Sequence, residues 1–153
     1  MPETAVVHST YVIEHNYAVP PERVYAALSD PAKKRRWFGE GEGSTTESFE
    51  MDFRVGGTER TVRHHNSGTM TFINDTVYRD IVPGRRVVIA YNMTVNGKCI
   101  SSSLITYELF PNGTGTDLIF TEQGAFYEGA DGPQMRQDGW RKLLEALGKS
   151  LAA

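Results

Sequence analysis

The chain has a single cysteine, Cys99, so no intramolecular disulfide can form and the usual mark of an oxidising compartment is missing. A reducing cytoplasm is the expected setting. Positive charge is also scarce. Sixteen Lys and Arg stand against 19 Asp and Glu, giving a net charge of -3, whereas a surface that neutralises a phosphate backbone would be basic. Nucleic acid is therefore not an expected partner. No segment approaches the length of apolar sequence that spans a bilayer, and Met1-Pro2-Glu3-Thr4-Ala5 lacks the basic start and apolar stretch of a signal peptide. No membrane partner is expected, and the protein reads as soluble. Linkers, internal repeats and low-complexity segments are likewise missing. One domain over residues 1–153, with its core at about 9–151, is the expectation.

What is present is alternation. Ser9 to Tyr17 places Tyr11, Ile13, His15 and Tyr17 on one face of a strand. Pro20-Pro21 ends it and opens a short helix with an apolar stripe of Val24, Tyr25, Ala27 and Leu28, and Asp30-Pro31 opens a second helix to Trp37. From Ser44 to Gly124, turn signals at Val55-Gly56-Gly57, Asn66-Ser67-Gly68, Val82-Pro83-Gly84-Arg85, Asn96-Gly97 and Pro111-Asn112-Gly113 divide a series of strands. The strongest strand runs are Thr58 to His64, Met70 to Asp80, Arg85 to Met93, Lys98 to Phe110 and Thr116 to Gln123. Pro133 to Leu151 carries Trp140, Leu143, Leu144, Leu147 and Leu151 at helical spacing. Segregated strands and helices predict an α+β fold in which a curved antiparallel sheet wraps a long C-terminal helix. A cavity is expected between them, with Gly139 on the helix side as one source of space.

Four stretches in this order resemble the START-like (SRPBCC) superfamily: Val24-Tyr25-Ala26-Ala27-Leu28-Ser29-Asp30-Pro31, Trp37-Phe38, Asp52-Phe53-Arg54-Val55-Gly56-Gly57 and Gly139-Trp140-Arg141-Lys142-Leu143-Leu144. Thr121-Glu122-Gln123-Gly124-Ala125-Phe126 is similar to the bacterial branch related to the C-terminal domain of the activator of Hsp90 ATPase. The resemblance implies the helix-grip (Bet v 1-like) fold, whose relatives bind lipids, hormones, polyketides or other apolar molecules, and some of which are cyclases or hydrolases. The eukaryotic activator works with a separate N-terminal domain, for which this length leaves no room.

Candidate chemistry is sparse. His64 and His65 are strand neighbours pointing to opposite faces, a poor geometry for chelating one ion, so no metal and no other cofactor is expected. No serine elbow is present, and Cys99 has no recognisable partner motif. Gly39, Gly41 and Gly43 read as a flexible connection or a lid over the cavity mouth. Lys33-Lys34-Arg35-Arg36 fans out round its helix and reads as a solvated end, its field offset by Glu40, Glu42, Glu47 and Glu50. Glu122 continues the alternation of Leu118 and Phe120 and is the candidate catalytic acid/base or ligand anchor, with Arg54, Arg60 or Tyr91 as partner; the competing reading is a structural ion pair or a hydrated rim position. Trp37, Phe38, Phe53, Phe126 and Trp140 are candidate ligand contacts or core, joined by Arg60 and Tyr91 as polar contacts. Two functions follow: binding of a small apolar or amphipathic molecule, with metal-free acid/base chemistry as an extension, or a protein-interaction module that docks on a chaperone or forms a homodimer through its edge strands.

Overall fold

Between Ser44 and Phe126 the chain is almost all strand, and turn chemistry decides where each strand reverses. The computed structural model describes residues 5–39, 43–65, 67–128 and 130–152. β1 (Val7–Tyr17) leads to α1 (Pro21–Ser29) and α2 (Pro31–Phe38). Six strands follow: β2 (Ser44–Met51), β3 (Thr58–His65), β4 (Met70–Val82), β5 (Arg86–Val95), β6 (Lys98–Asn112) and β7 (Gly115–Phe126). The last element is α3 (Pro133–Leu151). The strands form one antiparallel sheet in the order β1-β7-β6-β5-β4-β3-β2, the helix-grip arrangement, with β1 and β2 at its edges.

The expected turns hold. Asn96 and Gly97 both have positive φ, 49° and 84°, the pair a tight hairpin needs between β5 and β6. Gly57 is required for a different reason: a Cβ there would lie 2.1 Å from the carbonyl oxygen of Asp52. Asp30 closes α1 and then caps α2, its carboxylate accepting from the Lys33 amide at 3.2 Å, with Pro31 in the first helical turn. β2 is missing from the strongest strand runs because its sequence, STTESFEM, is polar for most of its length. As an edge strand it needs little apolar surface.

One face of the sheet is buried. Tyr11, Ile13 and Tyr17 of β1, Leu118, Phe120 and Glu122 of β7, and Tyr78, Ile89, Tyr91, Ile105 and Tyr107 of the central strands point to α3. The helix answers with Arg136, Trp140, Leu144, Leu147 and Leu151, a stripe that recurs at three- and four-residue intervals. β7 pairs without a register shift on both sides, so its alternation stays in phase as far as Glu122.

One expectation is corrected. Gly139 does not face inward: it precedes Trp140 by one residue, roughly a 100° turn of the helix, and lies exposed, so that a Cβ added there would meet nothing within 4 Å. Gly41, the middle glycine of the suggested lid, lies outside the described residues, as do Glu40, Glu42 and Asn66. The close approach on α3 occurs instead at Gly148, where a Cβ would meet the Tyr17 ring at 3.1 Å. That ring cannot yield easily, because its hydroxyl donates to the Leu144 carbonyl at 2.8 Å and its face stacks on His15. Gly139→Ala should therefore raise the unfolding free energy by about 0.5–1 kcal/mol, while Gly148→Ala lowers it, as read by urea denaturation.

Candidate functional site

Two buried polar clusters interrupt the apolar interior. The first is built on Glu122, whose side chain is fully buried. Tyr11, its register partner on β1, donates to Oε1, and Tyr91 donates to Oε2 at 2.9 Å. Arg136, on the first turns of α3, donates from Nη1 to Tyr91 Oη at 2.8 Å and to Glu122 Oε2 at 3.3 Å. Its remaining nitrogens reach Asp131 twice, at 2.9 Å each, and Ser101 Oγ at 2.8 Å. The guanidinium also lies 5.0 Å from the centre of the Phe126 ring. Burial pulls Arg136 toward its neutral form, but Tyr91, Asp131 and Glu122 outweigh it and hold the guanidinium protonated.

The second cluster joins α2 to the central strands. Lys34 is almost fully buried and donates to Glu59 Oε1 at 2.6 Å, and Tyr78 donates to the same oxygen. Facing it are Asn74, Thr76, Tyr107 and the rings of Phe38 and Trp140, which together enclose a void of about 10 Å³, room for about one water molecule. Tyr107 Oη, Asn74 Oδ1 and Thr61 Oγ1, the last on the residue paired with Asn74 across β3 and β4, are buried and find no hydrogen-bond partner among the described residues.

The anticipated open cavity is thus closed. Trp140 packs on Phe120 at 4.7 Å between centroids, and Phe38 packs on Trp140 at 5.9 Å, filling the space between sheet and helix. Of the anticipated ligand contacts, Phe38, Tyr91 and Trp140 border the remaining void. Trp37 is buried elsewhere, its indole N–H donating to the Ala27 carbonyl at 2.9 Å and so tying α2 to α1. Phe53 packs edge-on against Tyr78 and Tyr25, and Phe126 packs beneath Arg136.

Arg60 is corrected. It lies on the other face of the sheet, about half exposed, paired at 3.2 Å with Asp75, because Glu59 and not Arg60 is in phase with the inward row. There it lines an open groove of about 530 Å³ with Asp75, Arg79 and Asn92. Its charge is already paired with Asp75 and hydrated, so it is no partner for a group in the interior. Arg54 is likewise exposed on Asp52 and does not reach Glu122. Lys34 is no solvated helix end either; it shares the inward face of α2 with Trp37 and Phe38, three and four residues on.

Sequence reasoning places Lys34 in solvent and passes over Glu59, Asn74, Tyr107 and Arg136. The signal exists for some of them. Arg136 stands four residues before Trp140 and extends the stripe of α3 by one turn, and Glu59 alternates in phase with Thr61. His64 bonds Glu47 at 3.0 Å on the outer side, and His65 stacks edge-on with Phe72.

A model of the family described as activator of Hsp90 ATPase homolog 1-like protein matches residues 18–152. The chain belongs to this family. A crystal structure of the Mll3558 protein from Rhizobium loti is 43% identical, with a TM-score of 0.88, covering 96% of this chain and 99% of that one. An uncharacterized protein from Rhizobium leguminosarum is 35% identical, with a TM-score of 0.91 and 96% coverage of both chains. An AHSA1-like protein from Aeromonas hydrophila shares the fold at 18% identity, with a TM-score of 0.70, covering 94% of this chain and 92% of that one. No protein with a curated description matches. The activator-homolog family and the START-like helix-grip fold thus agree with the resemblance read from the residues. No helix among the described residues is long and apolar enough to cross a membrane.

Two tests follow for this activator-homolog domain. Arg136→Met leaves the Glu122 carboxylate buried without its cation and should cost about 3–5 kcal/mol, whereas adding Glu122→Gln to that variant should recover part of the loss in a double-mutant cycle. The second concerns alkaline pH. Tyr11, Tyr17, Tyr78, Tyr91 and Tyr107 are all held above the ordinary phenol value of 10.0, by burial first and then, for all but Tyr17, by a nearby carboxylate. Below pH 10 both folded and unfolded chains keep these protons. Above it the unfolded chain loses them first, so stability falls as pH rises. Ultraviolet phenolate absorbance of these five groups should appear only together with loss of near-ultraviolet circular dichroism.

Proposed function

We propose that this domain binds a small amphipathic molecule between the central strands and helices α2 and α3, at the Lys34–Glu59 end of its interior. The observation that carries the reading is the set of orphaned polar atoms, Tyr107 Oη and Asn74 Oδ1 with Thr61 Oγ1 beside them. A buried polar group without a partner costs about 1–3 kcal/mol, and a ligand that bonds it recovers that cost on binding. Phe38 and Trp140 are the rings a ligand displaces to enter, since the void in the closed form admits nothing larger than water. Membership in a family of helix-grip domains supports the same location.

Glu122 serves this reading by holding the sheet and α3 together, and not as a ligand contact or a catalyst. Oε1 is engaged by Tyr11 and Oε2 by Tyr91 and Arg136, which leaves the carboxylate no free face toward the void. The cytoplasm is the compartment this reading assigns, supported by the one cysteine, a free thiol.

An interaction module is the second reading, and one observation favours it: β1 is an edge strand whose Val7 and Val12 are about half exposed. Strand addition by a second copy or by a chaperone would cover them.

The test uses tryptophan emission. Trp37 and Trp140 are the two tryptophans of the chain, and of these Trp140 borders the void, so Trp37→Phe leaves a reporter at the site. Against a panel of aromatic amphiphiles, a binder should change Trp140 emission saturably and, at about a hundred times its dissociation constant, add roughly 2.7 kcal/mol to stability. Folded protein that responds to no compound, together with a dimer in sedimentation that Val12→Lys dissociates, would overturn binding in favour of the interaction module.

A further inference from the structure

The interior cations are not all matched. Lys34 has Glu59, and Arg136 has Glu122 and Asp131. Arg63 has no carboxylate within ion-pair distance among the described residues. It lies on the inward side of β3, two residues after Thr61, and is only partly exposed. Among the described residues its side chain makes one hydrogen bond, from Nη1 to the Phe38 carbonyl at 2.9 Å. Its guanidinium stands 5.4 Å from the centre of the Phe38 ring, while Lys34 stands 5.1 Å from the same ring. The residues across from it are uncharged: Thr46 on β2 and Phe72 on β4. Burial draws its pKa down, and no acid among the described residues pairs with it to offset the loss of hydration.

A desolvated guanidinium of this kind is unfinished chemistry. Its planar fork of five N–H donors matches a carboxylate bidentately, and one donor is in use. Phe38 connects it to the void: the residue borders that void with its ring and holds Arg63 with its carbonyl. Among the described residues in contact with Phe38 or bonded to those contacts, two cations, Lys34 and Arg63, stand against one carboxylate, Glu59.

We infer that the ligand is an amphipathic acid, its carboxylate seated on Arg63 and its apolar part entering between Phe38 and Trp140 toward Tyr107 and Asn74. This rests on the binding reading above and adds to it the class of ligand and the residue that selects it. Arg63 is then the specificity-determining contact, and the orphaned atoms of Thr61, Asn74 and Tyr107 receive any hydroxyl or carbonyl on the ligand body.

Matched probes test it: 2-naphthoate and its neutral isostere 2-naphthamide, titrated by Trp140 emission into the Trp37→Phe protein and into its Arg63→Gln and Arg63→Lys derivatives. Naphthoate should bind at least about tenfold more tightly than the amide, which corresponds to about 1.4 kcal/mol. Arg63→Gln should abolish that preference while leaving amide affinity unchanged, and Arg63→Lys should keep part of it. His65 supplies a readout that needs no variant. Burial and the Arg63 charge together lower its pKa, so a carboxylate on Arg63 should raise it, observed by proton NMR, and the amide should not. Equal affinity for the two probes, or a preference that survives Arg63→Gln, overturns the acid class and leaves interior binding standing. Saturable binding of neither probe overturns the acid class, and a silent wider panel overturns interior binding with it. Should Arg63→Gln fail to fold, Arg63→Lys and the His65 shift decide the question.

Discussion

The Glu122–Arg136 pair fixes the relation between the sheet and its helix. Apolar stripes alone allow a helix to slide or rotate by part of a turn at small cost, since Leu against Phe and Leu against Ile bury similar area. A buried carboxylate and guanidinium do not. Tyr11 from β1, Tyr91 from β5 and Ser101 from β6 converge on the same two groups, so an edge strand, the sheet centre and α3 are held in one register. Replacement by apolar residues of similar volume is often neutral or stabilising elsewhere, so the value of this pair lies in uniqueness of docking more than in depth of the energy well.

The strand meander, the three helices and the C-terminal stripe are legible in the sequence because each rests on a local rule. Proline and aspartate mark the helix starts, Asn-Gly and Pro-Gly mark reversals, and alternation marks the faces. Glu122 is legible for the same reason, as the next inward position after Leu118 and Phe120. The polar interior is not. Lys34 sits in a run of four cations whose average environment is solvent, and only its place between α2 and β3, opposite Glu59, removes it from water. Arg60 differs from the inward row by one residue, which on a strand is the whole difference between core and solvent. Gly139 misleads because small size suggests inner space, whereas the stripe on α3 is centred on its neighbour Trp140.

Phe38 shows how the interior divides its work. Its ring closes the void against Trp140, its carbonyl restrains Arg63, and cations approach its ring from α2 and from β3. It is also the last residue of α2, so small changes at that helix end alter the void, the cation and the aromatic cluster at once. The aromatic packing that resembles a ligand lining is in this closed form its substitute, occupying the space a ligand would claim.

The order of strands in the sheet carries a consequence for how the chain reaches its native state. β1 is made first, yet its strand partner is β7, with Val7 opposite Phe126 and Tyr17 opposite Thr116. A chain emerging from the ribosome cannot complete that pairing until nearly all of its length is available. During synthesis the β2 to β6 meander can pair hairpin by hairpin, while the oldest segment waits with Tyr11, Ile13 and Tyr17 uncovered. Closing so long a loop is an entropic burden local pairing does not share, so the joining of the first strand to the last marks a late, slow commitment of the fold.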